Sequence, residues 1–80
     1  DDWDVMSFNA YDGSEAALYA FSGRKDGRRT IPLRKLQPGR SCQIECMNDG
    51  EVSEKSGEQL MHEGLTIDLD ANSAKLWRIS

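Results

Sequence analysis

The sequence predicts an all-β fold: an antiparallel two-sheet β-sandwich of the Greek-key type, with about 7–8 short strands and one short helical turn near 57–63. Apolar residues recur mostly at every second position, as they do in half-buried strands. Turn residues interrupt this alternation about every eight to twelve positions, the spacing typical of sandwiches and barrels. The 80 residues suffice for one domain, so we expect residues 1–80 to fold as a single unit.

The first half of the chain supplies four of the predicted strands, at 3–11, 16–21, 28–33 and 40–47. The stretch Asp12-Gly13-Ser14 is a strong turn between the first two. The strand at 16–21 is apolar on both faces, which predicts a central position in its sheet. Pro32 cannot donate to a strand ladder, so we expect the third strand at a sheet edge or bulged.

The second half predicts a weak strand at 51–55, a helical turn, and two further strands at 65–69 and 74–79. Ser56 as N-cap and Gln59 three residues later match a capping box. Gly64 suits the left-handed position that often ends a helix. In the last strand, Trp77 is expected on the same face as Ile79, with Leu76 on the other.

The two cysteines, Cys42 and Cys46, are predicted to be reduced core residues. The intervening residues alternate as in a strand, and four steps along a strand span roughly 13 Å. A disulfide needs Cα atoms closer than about 7 Å, which excludes a bridge within this strand. His62 is the only histidine, so a metal site would lack ligands and no cofactor is expected. Reduced core cysteines favour a reducing compartment such as the cytoplasm over secretion.

The charge balance argues against nucleic acid as a partner. The net charge is −4 and the pI about 4.8, whereas nonspecific nucleic-acid binding needs a basic surface. No apolar run is long enough to span a membrane, and no signal peptide is visible within the chain. Seven of the ten basic residues lie between Arg24 and Arg40. This basic segment is a set of solvated faces or, alternatively, a contact patch for an acidic protein partner.

A domain this small is expected either to pack unusually well or to gain stability from a neighbour. It buries only about 60% of the surface that its unfolded chain exposes. Neither a metal cluster nor a disulfide is indicated by the sequence. A segment that starts at Asp1 without an initiator methionine also fits a piece of a longer chain.

Three segments, in the right order, resemble one enzyme family. The segment at 56–65, SGEQLMHEGL, resembles the S/T-G-x-x-L-M-x-x-G-L stretch near the end of family 36 glycoside hydrolases, the bacterial α-galactosidases. The segment at 73–79, SAKLWRI, is similar to that family's closing strand, and 31–40, IPLRKLQPGR, to its l-x-G-L-x-P-x-x-x-Y segment. Lys35 stands where a glycine is usual and Cys42 where a tyrosine is usual, which leaves a sister glycosidase family open.

The resemblance implies a non-catalytic C-terminal accessory domain that packs against the catalytic (β/α)₈ barrel of a parent glycosidase. Nothing in the chain resembles the barrel motifs, so no catalytic residue is carried over. From the residues alone, Asp68 and Asp70 are expected to be solvated strand-end carboxylates. His62 is expected to be exposed on the helical turn.

Aromatic residues are the best candidates for a binding role. Trp3 and Trp77 are predicted either to stack on carbohydrate, as in sugar-binding modules, or to pack in the core or at a domain interface. The expected contact with the parent barrel involves Trp3, Trp77, Arg28 and Arg29. The leading hypothesis is therefore a bracing domain, with a carbohydrate-binding module and a protein-interaction module as the alternatives.

Overall fold

The computed structural model describes residues 3–12 and 14–80. Along these residues the elements are β1 (Asp4–Asn9), β2 (Ala16–Phe21), β3 (Gly27–Ile31), β4 (Ser41–Cys46), β5 (Val52–Ser56), α1 (Gly57–His62), β6 (Leu65–Leu69) and β7 (Ala74–Ile79). Each predicted strand is present within two residues of its predicted bounds. The glycine of the predicted turn after β1, Gly13, lies outside the described residues.

The strands form two antiparallel sheets, which confirms the all-β two-sheet prediction. The large sheet has the order β1-β2-β7-β4-β5, and the small sheet pairs β3 with β6. After the β4–β5 hairpin the chain crosses to the small sheet as β6, and β7 then returns to lie between β2 and β4. A return beside an earlier strand is the connection that defines Greek-key topology.

The core lies between the sheets and follows the predicted alternation. Along β4 the side chains of Cys42, Ile44 and Cys46 are buried, while Gln43 is exposed. Strand β6 alternates in the same way. The two cysteines are free and buried, as the strand spacing predicts. Strand β2 hydrogen bonds to β1 on one side and β7 on the other, so its predicted central position is also confirmed.

Helix α1 begins with the predicted capping box. The Ser56 hydroxyl accepts the backbone N–H of Gln59 at 3.1 Å, and the Gln59 side-chain oxygen accepts the backbone N–H of Ser56 at 3.0 Å. The helix buries Leu60 completely against the core. The start of a helix leaves backbone N–H donors without partners, and these two bonds satisfy two of them. This stabilises a helix of only six residues between two strands.

Strand β3 is an edge strand whose only partner is β6, and Pro32 directly follows it. The prediction from Pro32 is therefore confirmed, since the proline lies where no ladder bond is required of it. Among the described residues, no helix is long and apolar enough to span a membrane.

Candidate functional site

The outer face of the large sheet, which points away from the small sheet, carries a row of large apolar side chains. The strand register places Met6 opposite Tyr19, and Tyr19 opposite Leu76. Just beyond β4, the N–H of Met47 donates to the Leu76 carbonyl at 2.8 Å, which extends the row. Residues directly opposite each other share a sheet face, so the four side chains form one continuous row.

A second row on the same face runs parallel to the first. Phe8 lies opposite Ala17, Ala17 opposite Arg78, and Arg78 opposite Glu45. The row ends at the exposed Val52, which lies opposite Glu45. We call the large apolar residues of the two rows the apolar outer face, defined as Met6, Phe8, Tyr19, Met47, Val52 and Leu76.

The apolar outer face is open to solvent in this chain. Met6 is 52% exposed, Phe8 61% and Met47 50%. Phe8, Met47 and Leu76 border a broad shallow hollow of about 540 Å³, whose floor includes Ala17. At its margin Arg78 pairs with Glu15 at 3.1 Å. An apolar centre with charged groups at the rim is the arrangement found at protein interfaces.

This surface was not predicted from the sequence. Alternation along the first strand puts Met6 and Phe8 on one face, and Leu76 is expected on the face opposite Trp77. The signal that identifies the surface is that Met6, Phe8 and Leu76 lie on the same face of the two strands that flank β2. Which strands are neighbours depends on β7 pairing with β2, a contact between distant parts of the chain.

Trp3 and Trp77 fill the interior instead of presenting open rings. Each is only 8% exposed. The Trp3 indole N–H donates to the Lys25 carbonyl at 2.8 Å, and the Arg29 guanidinium lies 4.8 Å from the ring centre. Neither ring offers the open face that stacking on a sugar requires. Core packing, the alternative weighed from the sequence, accounts for both residues.

The structure brings together only part of the predicted domain-interface set. Trp3 and Arg29 are in contact. Arg28 lies on the opposite face of β3, where its Nε donates to Asp68 at 2.9 Å. That hydrogen bond and the charge of Asp68 raise the pKa of Arg28. Both partners are well exposed, so the pair contributes little to stability. An interface role for these residues stays a prediction.

Two of the acidic residues, Asp12 and Asp49, anchor turns. The pKa of Asp12 is lowered, chiefly because the Ser14 hydroxyl donates to its carboxylate at 2.6 Å. The pKa of Asp49 is lowered chiefly by the backbone N–H of Glu51, which donates at 2.9 Å. Carboxylates held ionised in this way are poor proton donors near neutral pH.

A hollow of about 190 Å³ opens between the sheets, lined by Asp49, Glu51, Asp68, Lys75 and apolar core residues. Lys75 pairs with Asp49 at 3.5 Å across part of it. Asp70 and His62 are exposed elsewhere. Within residues 3–12 and 14–80, no group of three or more histidine, cysteine or acidic side chains comes together to hold a metal ion.

The segment that carries the family resemblance has a structural role at each fixed position. Ser56 caps the helix, Leu60 is fully buried, and Leu65 begins β6 in the core. A Cβ on Gly57 would lie 2.1 Å from the Gln37 carbonyl oxygen. Gly64 has φ +83 and packs against the Ile31 carbonyl. These positions therefore contribute capping, packing and backbone conformation to the fold.

Compared with models of known protein families and with curated proteins, the sequence shows no significant match.

Proposed function

We propose that this chain is a non-catalytic accessory domain that braces the catalytic (β/α)₈ barrel of a larger glycoside hydrolase of the α-galactosidase type. The observation that carries the proposal is the apolar outer face. Large exposed apolar patches on small domains usually mark contacts with another protein surface. Methionine and aromatic residues are also enriched in such contacts, and Met6, Phe8 and Met47 are half or more exposed.

The family assignment within this proposal rests on the resemblance of residues 31–40, 56–65 and 73–79. Two structural features support it. Every fixed position of the 56–65 segment has a packing, capping or backbone role. In addition, Lys35, which stands where the family has a glycine, has φ 58, a conformation that favours glycine. A position that requires this backbone is expected to be a glycine in relatives.

The first test is the coding sequence immediately upstream of Asp1 in the genome that encodes this chain. The proposal expects a (β/α)₈ barrel with two carboxylates placed for a glycosidase. An upstream sequence without a barrel would reject the assignment to a glycosidase.

The second test compares outer-face variants in the isolated chain and in the longer polypeptide. Phe8→Ser and Leu76→Ser are expected to change the unfolding free energy of the isolated chain by no more than about 0.5 kcal/mol, because both side chains are exposed. In the longer polypeptide each is expected to cost about 1.5–3 kcal/mol, the transfer free energy of a side chain that the barrel buries. Urea denaturation measures both.

Gln43→Ser is the matched control, because Gln43 is exposed on the same sheet face but lies outside the apolar outer face. It is expected to be neutral in both settings. Equal costs for Phe8→Ser in the isolated and the longer chain would contradict a bracing contact through this face.

The isolated chain is expected to leave aryl α-galactosides unhydrolysed and its amide chemical shifts unchanged in millimolar galactoside. Turnover that survives repurification would reject the non-catalytic assignment. Shifts confined to Phe8 and Tyr11, the most exposed aromatic residues described, would instead support a carbohydrate-binding module.

A further inference from the structure

Strand β1 forms one edge of the large sheet, and half of its backbone groups point away from the sheet. The N–H of Ala10 donates to the Glu15 carbonyl at 2.9 Å, which makes these two residues a hydrogen-bonded pair. In an antiparallel ladder such pairs alternate with non-bonded pairs. The even-numbered residues of β1 therefore bond to β2. The N–H and C=O groups of Val5, Ser7 and Asn9 point outwards from the edge.

This edge has only two of the features that keep sheet edges from pairing: the charge of Asp4, and a loop contact at its end, where the Asn9 side chain donates to the Arg34 carbonyl at 2.6 Å. All six residues of β1 are exposed, and Asp4 is the only charged residue among them. The strand contains no proline and pairs with β2 without a bulge. The opposite edge, β5, carries Glu54 and Lys55 and runs directly into α1. Charged residues protect edge strands in natural sheets, and β1 has one where β5 has two.

We propose that β1 pairs antiparallel with β1 of a second copy of this chain, about a two-fold axis at Ser7, which joins two large sheets into one. In this register Ser7 lies opposite Ser7 of the second copy, and Val5 opposite Asn9. Each of the three residues whose N–H and C=O groups point outwards then lies opposite another such residue, so the two strands can hydrogen bond. Because the axis is perpendicular to the sheet, the apolar outer faces of both copies lie on the same side.

Side chains and charges favour this register over its neighbours. It places Met6 of each copy opposite Phe8 of the other, which gives two such pairs across the interface. Cross-strand pairs of large apolar residues stabilise sheets. A shift by two residues, with Met6 opposite itself, would place Asp4 opposite Phe8. In the proposed register Asp4 instead faces Ala10 of the second copy.

The contact is expected to be weak and dependent on concentration. A standard stable interface covers about 800 Å² on each partner, and one pair of six-residue strands covers less. The net charge of −4 on each copy also opposes association. This inference is independent of the proposed bracing function, since it concerns the strand edge and a second copy.

The test is sedimentation velocity of the whole chain from about 10 µM to about 1 mM, with variants at the two sheet edges. The wild type is expected to shift from monomer to dimer across this range. Ser7→Pro removes an outward N–H at the two-fold axis and is expected to weaken the dimer about tenfold or more. Glu54→Pro is the matched control, because the N–H of Glu54 points outwards at the opposite edge of the sheet. The Glu54→Pro variant is expected to dimerise like the wild type.

Ser7→Lys is the second variant and keeps the backbone N–H. It places two like charges directly opposite each other at the axis and is expected to abolish dimerisation, whereas Glu54→Lys is expected to have no effect. Hydrogen exchange supplies the register: the amides of Val5, Ser7 and Asn9 are expected to gain protection as concentration rises. A chain that stays monomeric would overturn the proposal. So would a dimer that survives both Ser7 variants, because it would form through the apolar outer face.

Discussion

Lys35 shows how a single backbone conformation can conflict with the residue that occupies it. The residue has φ 58 in the loop before β4, and its side chain is exposed. A residue with a Cβ pays about 1–2 kcal/mol in the left-handed region, whereas glycine adopts it freely. Packing therefore gives no reason for lysine here, and the backbone gives a reason against it.

Lys35→Gly is accordingly expected to be neutral or to raise the unfolding free energy by up to about 1 kcal/mol. Glycine removes the backbone strain at φ 58, and this gain offsets the greater conformational freedom of glycine in the unfolded chain. Arg34→Gly is the matched control in the same loop. It is expected to lower stability by about 0.5–1 kcal/mol, because its φ is not positive and only the entropy cost applies. Urea denaturation of both variants measures the difference. Equal losses would contradict the argument.

Trp3 and Phe8 show what single residues in the sequence leave undetermined. Both are large aromatic residues near the start of the chain, and alternation puts them on opposite faces of the predicted first strand. The tryptophan is buried under Arg29, whereas the phenylalanine is exposed. The alternation identifies the two faces but does not say which one the small sheet covers. That choice depends on where β3 and β6 pack, so the sequence left open whether Trp3 packs in the core or contacts a sugar.

At the scale of elements, the parts of the fold with local causes were predictable. The helix was predicted from Ser56 and Gln59, and the capping bonds form between those two residues. The bounds of strands and turns follow in the same way from alternation and turn chemistry. The pairing of β7 with both β2 and β4 has no local cause, since it joins segments far apart in the chain. The apolar outer face depends on that pairing, which is why it was missed.

The capping box of α1 is expected to contribute measurably although the helix is only six residues long. Ser56→Ala removes the acceptor for the Gln59 N–H and is expected to lower the unfolding free energy by about 1 kcal/mol. Ser53→Ala, on the exposed surface of the preceding strand, is the control and is expected to stay within about 0.5 kcal/mol of the wild type. Similar losses for the two alanine variants in thermal denaturation would show that the cap is dispensable.

Considered as a whole, the molecule anchors both ends of its large sheet with a carboxylate in a turn. Asp12 holds the turn after β1, where it accepts the Ser14 hydroxyl and N–H. Asp49 holds the turn between β4 and β5, where it accepts the Glu51 N–H and pairs with Lys75. These turns carry the two edge strands of the sheet. Protonation of two exposed groups can therefore weaken both edges at once.

The sign of the resulting pH dependence follows from the lowered pKa of each carboxyl. The ordinary value is 3.8, and both aspartates lie below it in the folded chain. The unfolded chain thus binds protons first as the pH falls, and stability is lost as the pH drops through 3.8 and the folded values. Above that window both contributions are fully present. Urea midpoints are expected to fall below about pH 4.

The double variant Asp12→Asn, Asp49→Asn is expected to have a shallower pH dependence in that window, because each amide keeps an acceptor oxygen but has no proton to gain. It is also expected to be less stable than the wild type at neutral pH, where the charge on each carboxylate strengthens its turn hydrogen bonds. Hydrogen exchange at low pH locates the effect, since amides near the two turns of the wild type are expected to lose protection before those of β7 at the sheet centre. If the wild type and the double variant lose stability with the same slope, these turns are not what makes the fold sensitive to acid.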